Sequence, residues 1–223
     1  MAQDPSLQLT LSEVSKLQDS QASPGRTHFL PEEDVIALRL LEEKAKDCRL
    51  CVLCETRQNV VFADGNPHAR LMIIGEGPGA NEDLTGLPFV GRAGKLLDKI
   101  LQSVEIDRQK DTYIANIVKC RPPQNRVPTK QEAETCRTYL ESQISLIKPR
   151  IILLAGATAV QYVLQLKDPI SKIRGQWFEY RSAKAMPIFH PSYLLRNDTK
   201  AVGSPKWLMW QDIKLVKQTL DSL

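Results

Sequence analysis

Four short runs of apolar residues stand out along the chain: Leu71–Gly75, Tyr113–Val118, Ile151–Ala155 and Met186–Phe189. Runs of this length without polar alternation predict strands buried on both faces. Between them, apolar positions recur at helical spacing over Gly94–Val104, Lys130–Ile147 and Thr158–Leu166, and again over Pro205–Leu220. Upstream, "PEEDVIALRLLEEKAKDC" opens on a proline and acids and then turns periodic, which predicts another helix. Strands alternating with helices predict an α/β fold, with three layers (α/β/α) around a central four-stranded parallel sheet.

In such sheets, ligands sit at the carboxyl ends of the strands. Gly75-Glu76-Gly77 ends the first expected strand, and Asn116 and Cys120 lie near the end of the second. Gly156 ends the third and His190 the fourth. The pattern therefore points to one crevice fed by four strand ends.

Residues 1–30 are rich in Ser, Gln and Asp and broken by Pro24-Gly25, so they are expected to be a disordered extension of a single domain over 31–223. No apolar run approaches the roughly 18 residues of a membrane span. The first residues lack the basic head and apolar core of a secretory signal, so a cytoplasmic protein is expected. The net charge is +4, but residues 1–47 carry nine acids and five bases, leaving +8 on the remainder. A basic body favours a polyanionic partner.

Five cysteines without an export signal favour metal or redox chemistry over disulfides. Cys48 and Cys51 are spaced C-x2-C, Cys54 continues the series, and Cys120 and Cys136 lie far downstream. Two near and two distant thiolates enclose one tetrahedral metal or one cubane cluster, and spacing alone selects neither. A Cys51/Cys54 pair is equally open on spacing. Between the distant pair, "KCRPPQNRVP" sets Lys119, Arg121 and Arg126 among three prolines, with Lys130 just beyond. It is expected to be a stiff basic loop suited to phosphate contact.

Two further loops carry candidate chemistry. "GEGPGANEDLTGLPFVG" (75–91) is neither a Walker-type phosphate loop nor G-x-G-x-x-G. Its alternating glycines expose backbone N–H groups to a flat ligand, and Phe89 is either a core plug or a stacking platform. In "FHPSYLLRN" (189–197), His190 is set by Pro191 to point into the crevice. Leu194 and Leu195 follow on an expected exposed turn beside Arg196, a combination that can wedge into a base stack.

Taken together, "GEGPG-x-x-E-D-x-x-G-x-PFVG-x-AG", "N-I-V-K-C-R-P-P-x-N-R", the cysteines and "HP-x-YLLRN" resemble the family 4 uracil-DNA glycosylases, the iron–sulfur type. The resemblance runs from about Cys48 to the C-terminus. It implies a uracil-DNA glycosylase-like fold and a monofunctional enzyme of base excision repair. Such an enzyme flips uracil out of DNA, hydrolyses its N-glycosidic bond and uses no catalytic metal ion. The family pattern C-x2-C-x-L-x3-R selects Cys48, Cys51, Cys120 and Cys136 as [4Fe–4S] ligands and leaves Cys54 spare.

The resemblance further implies that Gly75, Glu76 and Gly77 wall a uracil pocket in which Phe89 stacks on the base and Asn116 reads its edge. His190 would stabilise negative charge on O2, while Glu76, Asn125 and Glu82 are the candidates to hold the attacking water. DNA contacts are expected from Lys119, Arg121, Arg126, Leu194, Leu195 and Arg196. The expected partner is uracil-containing DNA, single- or double-stranded, met by a monomer at the nucleoid.

Overall fold

A computed structural model describes residues 30–197 and 199–223. The expected extension lies outside the described residues, apart from Leu30 at its end. One six-stranded sheet organises the rest. Its strands are β1 (Asp64–Gly65), β2 (Leu71–Gly75), β3 (Thr112–Asn116), β4 (Ile151–Ala155), β5 (Phe178–Tyr180) and β6 (Ala183–Ile188). They lie in the order β1-β3-β2-β4-β6-β5. The central four are parallel, as the apolar runs predict. The sheet is larger than expected, because β1 and β5 add antiparallel edges. Strands of two and three residues are too short to carry a hydrophobic period, so nothing in the sequence marks them.

Strands β2, β3 and β4 are buried along their whole length. Alternate side chains point to opposite faces, and each face has its own cover. Met72, Ile74, Ala115, Ile152 and Leu154 pack against the side of α1 (Glu32–Lys46), α5 (Lys130–Ile147) and α6 (Ala157–Val163). Leu71, Ile73, Ile114, Ile151 and Leu153 pack against α3 (Arg92–Gln102) and α9 (Pro205–Asp221). This is the three-layer arrangement the sequence predicts.

Four short helices complete the chain: α2 (Ala80–Thr85), α4 (Arg108–Asp111), α7 (Ile170–Ile173) and α8 (Pro191–Leu195). Local chemistry sets the long helix ends. Helix α5 opens on a capping box, in which Thr129 Oγ1 accepts from the Glu132 N–H and Glu132 Oε2 accepts from the Thr129 N–H. Helix α9 opens on Ser204 followed by Pro205.

Strand β3 stops two residues before the expected Val118. There the chain leaves the ladder, yet the Ile117 and Val118 N–H groups still donate to Gly75 and Glu76 carbonyls at 2.9 and 3.2 Å. That pairing keeps Asn116 and the segment after it beside the end of β2.

Candidate active site

A cleft of about 780 Å³, counting its open mouth, lies at the carboxyl ends of the parallel strands. Its walls include Glu76, Gly77, Phe89, Asn116, Asn125 and His190. The sequence placed these residues together, and the fold brings them together.

Gly75 and Asn116 are partners in the β2–β3 register. A Cβ on Gly75 would meet Asn116 Oδ1 at 2.5 Å and the Phe89 ring at 2.6 Å. The missing side chain lets the amide and the ring converge over one strand end. Asn116 is 2% exposed, and no hydrogen bond from a described residue occupies its amide. A buried amide left open towards a cleft suits a ligand with complementary groups. Phe89 is also buried, with its backbone in the left-handed region at φ 52°. Its ring centroid lies 5.7 Å from that of His190, tilted by 30°.

The loop that carries Phe89 is closed by Glu82. One carboxylate oxygen accepts from the Val90 and Gly91 N–H groups at 2.9 and 2.8 Å, and the other accepts from the Gly79 N–H at 3.1 Å. These bonds tie the start of α2 to the start of α3. They commit the carboxylate to the backbone, which leaves it poorly placed to handle water. Beneath it, buried Asp83 accepts from the Gln58 and Asn59 N–H groups.

His190 follows β6 directly. The Ser192 backbone N–H donates to its Nδ1 at 3.1 Å, and the Ser192 hydroxyl lies 2.7 Å from the same nitrogen. A backbone N–H only donates, so Nδ1 is an acceptor and the proton of the neutral ring sits on Nε2. Burial pushes the imidazole pKa down to about 4, helped by Arg196 and opposed by Glu82. At neutral pH the site therefore holds a neutral histidine with one N–H to donate.

Glu76 accepts a hydrogen bond from the Thr158 hydroxyl through Oε2, and Oε1 has no hydrogen-bond donor among the described residues. Asn125 sits in a 3-10 turn (Pro123–Asn125) with φ 55°. Its Oδ1 accepts from Arg121 Nε at 2.8 Å, which engages one of the oxygen's two lone pairs.

Two expectations about basic and apolar contacts need correction. Lys119 is not on the basic loop surface: it is 2% exposed, and its ammonium donates to the Asn116 carbonyl at 2.9 Å and to Gln143 Oε1 at 2.6 Å. The register that holds Ile117 and Val118 against β2 draws Lys119 inward. Leu194 is 1% exposed, packed in the core beside Phe189, and so is no exposed wedge. One helical turn in α8 is enough to put it on the inner face. Leu195 is half-buried, while Tyr193 and Arg196 are exposed. Arg126 is half-exposed and held by Glu132 at 2.6 Å, and that arginine holds the Glu132 carboxyl down at about 2.

Sequence reasoning missed Thr158 and Ser192, which hold Glu76 and His190 by hydrogen bonds. Only Ser192 had a signal, lying two positions after a histidine that opens a helix.

Cys48, Cys51, Cys54, Cys120 and Cys136 together line a separate pocket. Arg57 Nη1 donates to Cys120 Sγ at 3.2 Å, and the Lys119 backbone N–H donates to Cys136 Sγ at 3.3 Å. Burial pushes the Cys120 thiol up to about 12, against the pull of Arg57, and raises Cys136 and Cys51 as well. Among the described residues no group of three or more His, Cys, Asp or Glu is arranged to hold a single metal ion. The donor set is all sulfur, backed by a guanidinium and a backbone N–H, which fits a larger anionic group bound through thiolates. The pocket does not by itself choose four of the five. No helix of the described residues is long and apolar enough to cross a membrane.

Residues 62–214 match the model of the uracil DNA glycosylase superfamily. A type-4 uracil-DNA glycosylase from Thermotoga maritima is 43% identical over 182 residues, covering 81% of this chain and 93% of that protein. Another, from Archaeoglobus fulgidus, is 42% identical over 156 residues, covering 66% of this chain and 78% of its own. A type-5 uracil-DNA glycosylase from Pyrobaculum aerophilum is 27% identical over 146 residues, covering 58% and 64%.

Proposed function

The chain belongs to the uracil-DNA glycosylase superfamily and, within it, to the type-4 enzymes, and from that premise we propose how its residues excise uracil from DNA during base excision repair. The observation that carries the reading is the meeting of the Phe89 ring, the open Asn116 amide and neutral His190 in one cleft.

Chemistry on a base within a duplex requires the base to leave the stack. In the cleft, the Phe89 ring stacks on the extruded uracil. The Asn116 amide offers one donor and one acceptor, which match uracil O4 and N3–H. Cytosine presents the opposite pattern there and would leave buried groups unpaired, a costly mismatch.

As the glycosidic bond breaks, the sugar becomes cationic and negative charge gathers on uracil O2. The His190 Nε2–H donates to that oxygen, assisted by the backbone N–H groups of Glu76 and Gly77. Glu76 holds the attacking water through Oε1, with the Thr158 hydroxyl fixing the carboxylate from the other side. Asn125 is the weaker candidate because its amide oxygen is already partly engaged by Arg121, whereas Glu76 Oε1 is open among the described residues. The developing cation makes orientation of the water more important than base strength.

Arg121, Arg126 and Arg196, together with half-buried Leu195, form the DNA-facing rim. Cys48, Cys51, Cys120 and Cys136 hold a [4Fe–4S] cluster, and Cys54 is spare. The cluster supplies a structural tie between the N-terminal segment and α5, since hydrolysis moves no electrons. The protein acts as a monomer on nucleoid DNA in the cytoplasm.

The test is incubation with a labelled uracil-containing oligonucleotide without magnesium, followed by alkali. Strand cleavage at the former uracil is expected, and Asn116→Ala is expected to abolish it. An intact strand with retained DNA binding would identify a non-catalytic module instead.

A further inference from the structure

Arg108 has no part in the steps above, yet it is a nearly buried charge touching the pocket loop. It opens α4, and its side chain is 14% exposed. Nε donates to Asp64 Oδ2 on β1 at 2.9 Å, and Nη1 donates to Asp98 Oδ1 on α3 at 2.9 Å. The same Nη1 donates to the Phe89 carbonyl at 3.0 Å, and Nη2 donates to the Pro88 carbonyl. One planar group thus fixes two consecutive carbonyls of the loop to the sheet edge and to α3.

Those carbonyls belong to a strained segment. A non-glycine residue is strained in the left-handed region, and Phe89 sits there. Such a conformation persists only when its surroundings over-determine it. The Phe89 carbonyl is gripped by Arg108 and rests against Gly94, where a Cβ would come within 1.7 Å of it. With the carbonyl locked, the ring is aimed over Gly75 and beside the Asn116 amide.

We propose that Arg108 is a positioning residue for the base pocket: it holds Phe89 in the left-handed conformation that presents its ring to uracil. The inference rests on the reading of Phe89 as the stacking face. Arg108 touches no substrate and acts through the Phe89 backbone.

The test uses the full chain in four forms besides the parent: Arg108→Lys, Arg108→Gln, Phe89→Ala and the double variant F89A/R108Q. Lysine keeps the charge between Asp64 and Asp98 but lacks the fork that reaches both carbonyls. Three quantities are read on folded enzyme: kcat/KM on a uracil oligonucleotide, inhibition by free uracil, and affinity for abasic DNA. A clamp that only stabilised the fold would lower the melting temperature and leave all three unchanged per folded molecule.

The expected result for R108K is a loss of about tenfold in kcat/KM and a similar weakening of inhibition by uracil, with abasic-DNA affinity unchanged. In the F89A background, R108Q should add less than about twofold, because the two changes share one mechanism. If R108Q fails to fold, R108K takes its place in the double variant. Losses that multiply, or R108K values within about twofold of the parent while F89A is impaired, overturn the proposal alone. An F89A variant with unchanged uracil inhibition overturns the reading of Phe89 and the proposal with it.

Discussion

The Lys119 ammonium donates to the backbone carbonyl of Asn116 across 2.9 Å, and both residues are 2% exposed. The network extends through Gln143, whose side-chain amide N–H donates to the Tyr113 hydroxyl and to the Phe62 carbonyl. The same lysine gives its backbone N–H to Cys136 Sγ. A charge buried this deeply is costly unless it is paired and hydrogen-bonded; here the ammonium is held by Gln143 and by the carbonyl of Asn116, the proposed base reader, while the backbone of the same lysine reaches a cysteine of the proposed cluster.

Lys119→Met should therefore strand the Asn116 carbonyl and the Gln143 oxygen. The expected cost is about 2–3 kcal/mol of stability, together with a loss of uracil excision. The salt dependence of DNA binding should not change, because a buried ammonium meets no phosphate. Arg121→Ala should reduce the slope of log affinity against log salt by about 0.9. Binding titrations at several salt concentrations check both. A reduced slope in K119M would return the lysine to the DNA surface.

Neutral His190 sets an acid limb. Its pKa is lowered from 6.5 to about 4, first by burial and then by Arg196. The folded protein thus binds fewer protons here than the unfolded chain between those two values. Its contribution to stability is complete above pH 6.5 and is lost as pH falls through 4. Protonation would turn Nδ1 into a donor facing the Ser192 N–H and disturb the seat of the ring, so kcat/KM should be flat from pH 8 to about 5 and decline only near 4. A pH–rate profile whose limb lies at 6.5 and vanishes in His190→Gln would show an unburied, ordinary imidazole.

Glu82 holds the pocket loop rather than the water. Glu82→Ala frees the Gly79, Val90 and Gly91 N–H groups at once. It should cost about 2–4 kcal/mol and lower activity through loss of the Phe89 position. Rejection of thymine should be no worse for the molecules that remain folded. Thermal melts alongside excision assays on uracil and thymine substrates separate the two. A stable variant that excises thymine would make Glu82 a specificity residue instead.

Much of this was legible because the relevant signals are periodic or punctuated. Continuous apolar runs marked the four central strands, and positions at or near their carboxyl ends marked Glu76, Asn116 and His190 as neighbours in space. What the sequence hid was the direction of individual side chains. Lys119 and Arg121 lie two positions apart in one basic segment, yet one is swallowed by the core and the other reaches Asn125. Leu194 and Leu195 are adjacent, and a single helical turn divides them between core and rim. Arg108 was invisible because its carboxylate partners, Asp64 and Asp98, lie far from it in sequence and its loop partners are backbone carbonyls, which every sequence has.

Five thiols share one pocket, and the question of which four bind a cluster has a direct answer in substitution. Cys120 and Cys136 are buried and receive the Arg57 and Lys119 hydrogen bonds, so neither tolerates replacement by a ligand of different softness. Cys54 is less enclosed and closes the short 3-10 turn over Val52–Glu55, its N–H donating to the Cys51 carbonyl at 3.2 Å. That bond belongs to the backbone and survives a change of side chain. Cys54→Ser should accordingly retain the visible iron–sulfur absorbance and the iron content of the parent. Cys48→Ser, Cys51→Ser, Cys120→Ser and Cys136→Ser should each lose most of both and melt earlier. Iron and sulfide analysis of the five variants, purified without oxygen, decides it: a colourless Cys54→Ser beside a coloured Cys48→Ser would move the near pair of ligands to Cys51 and Cys54.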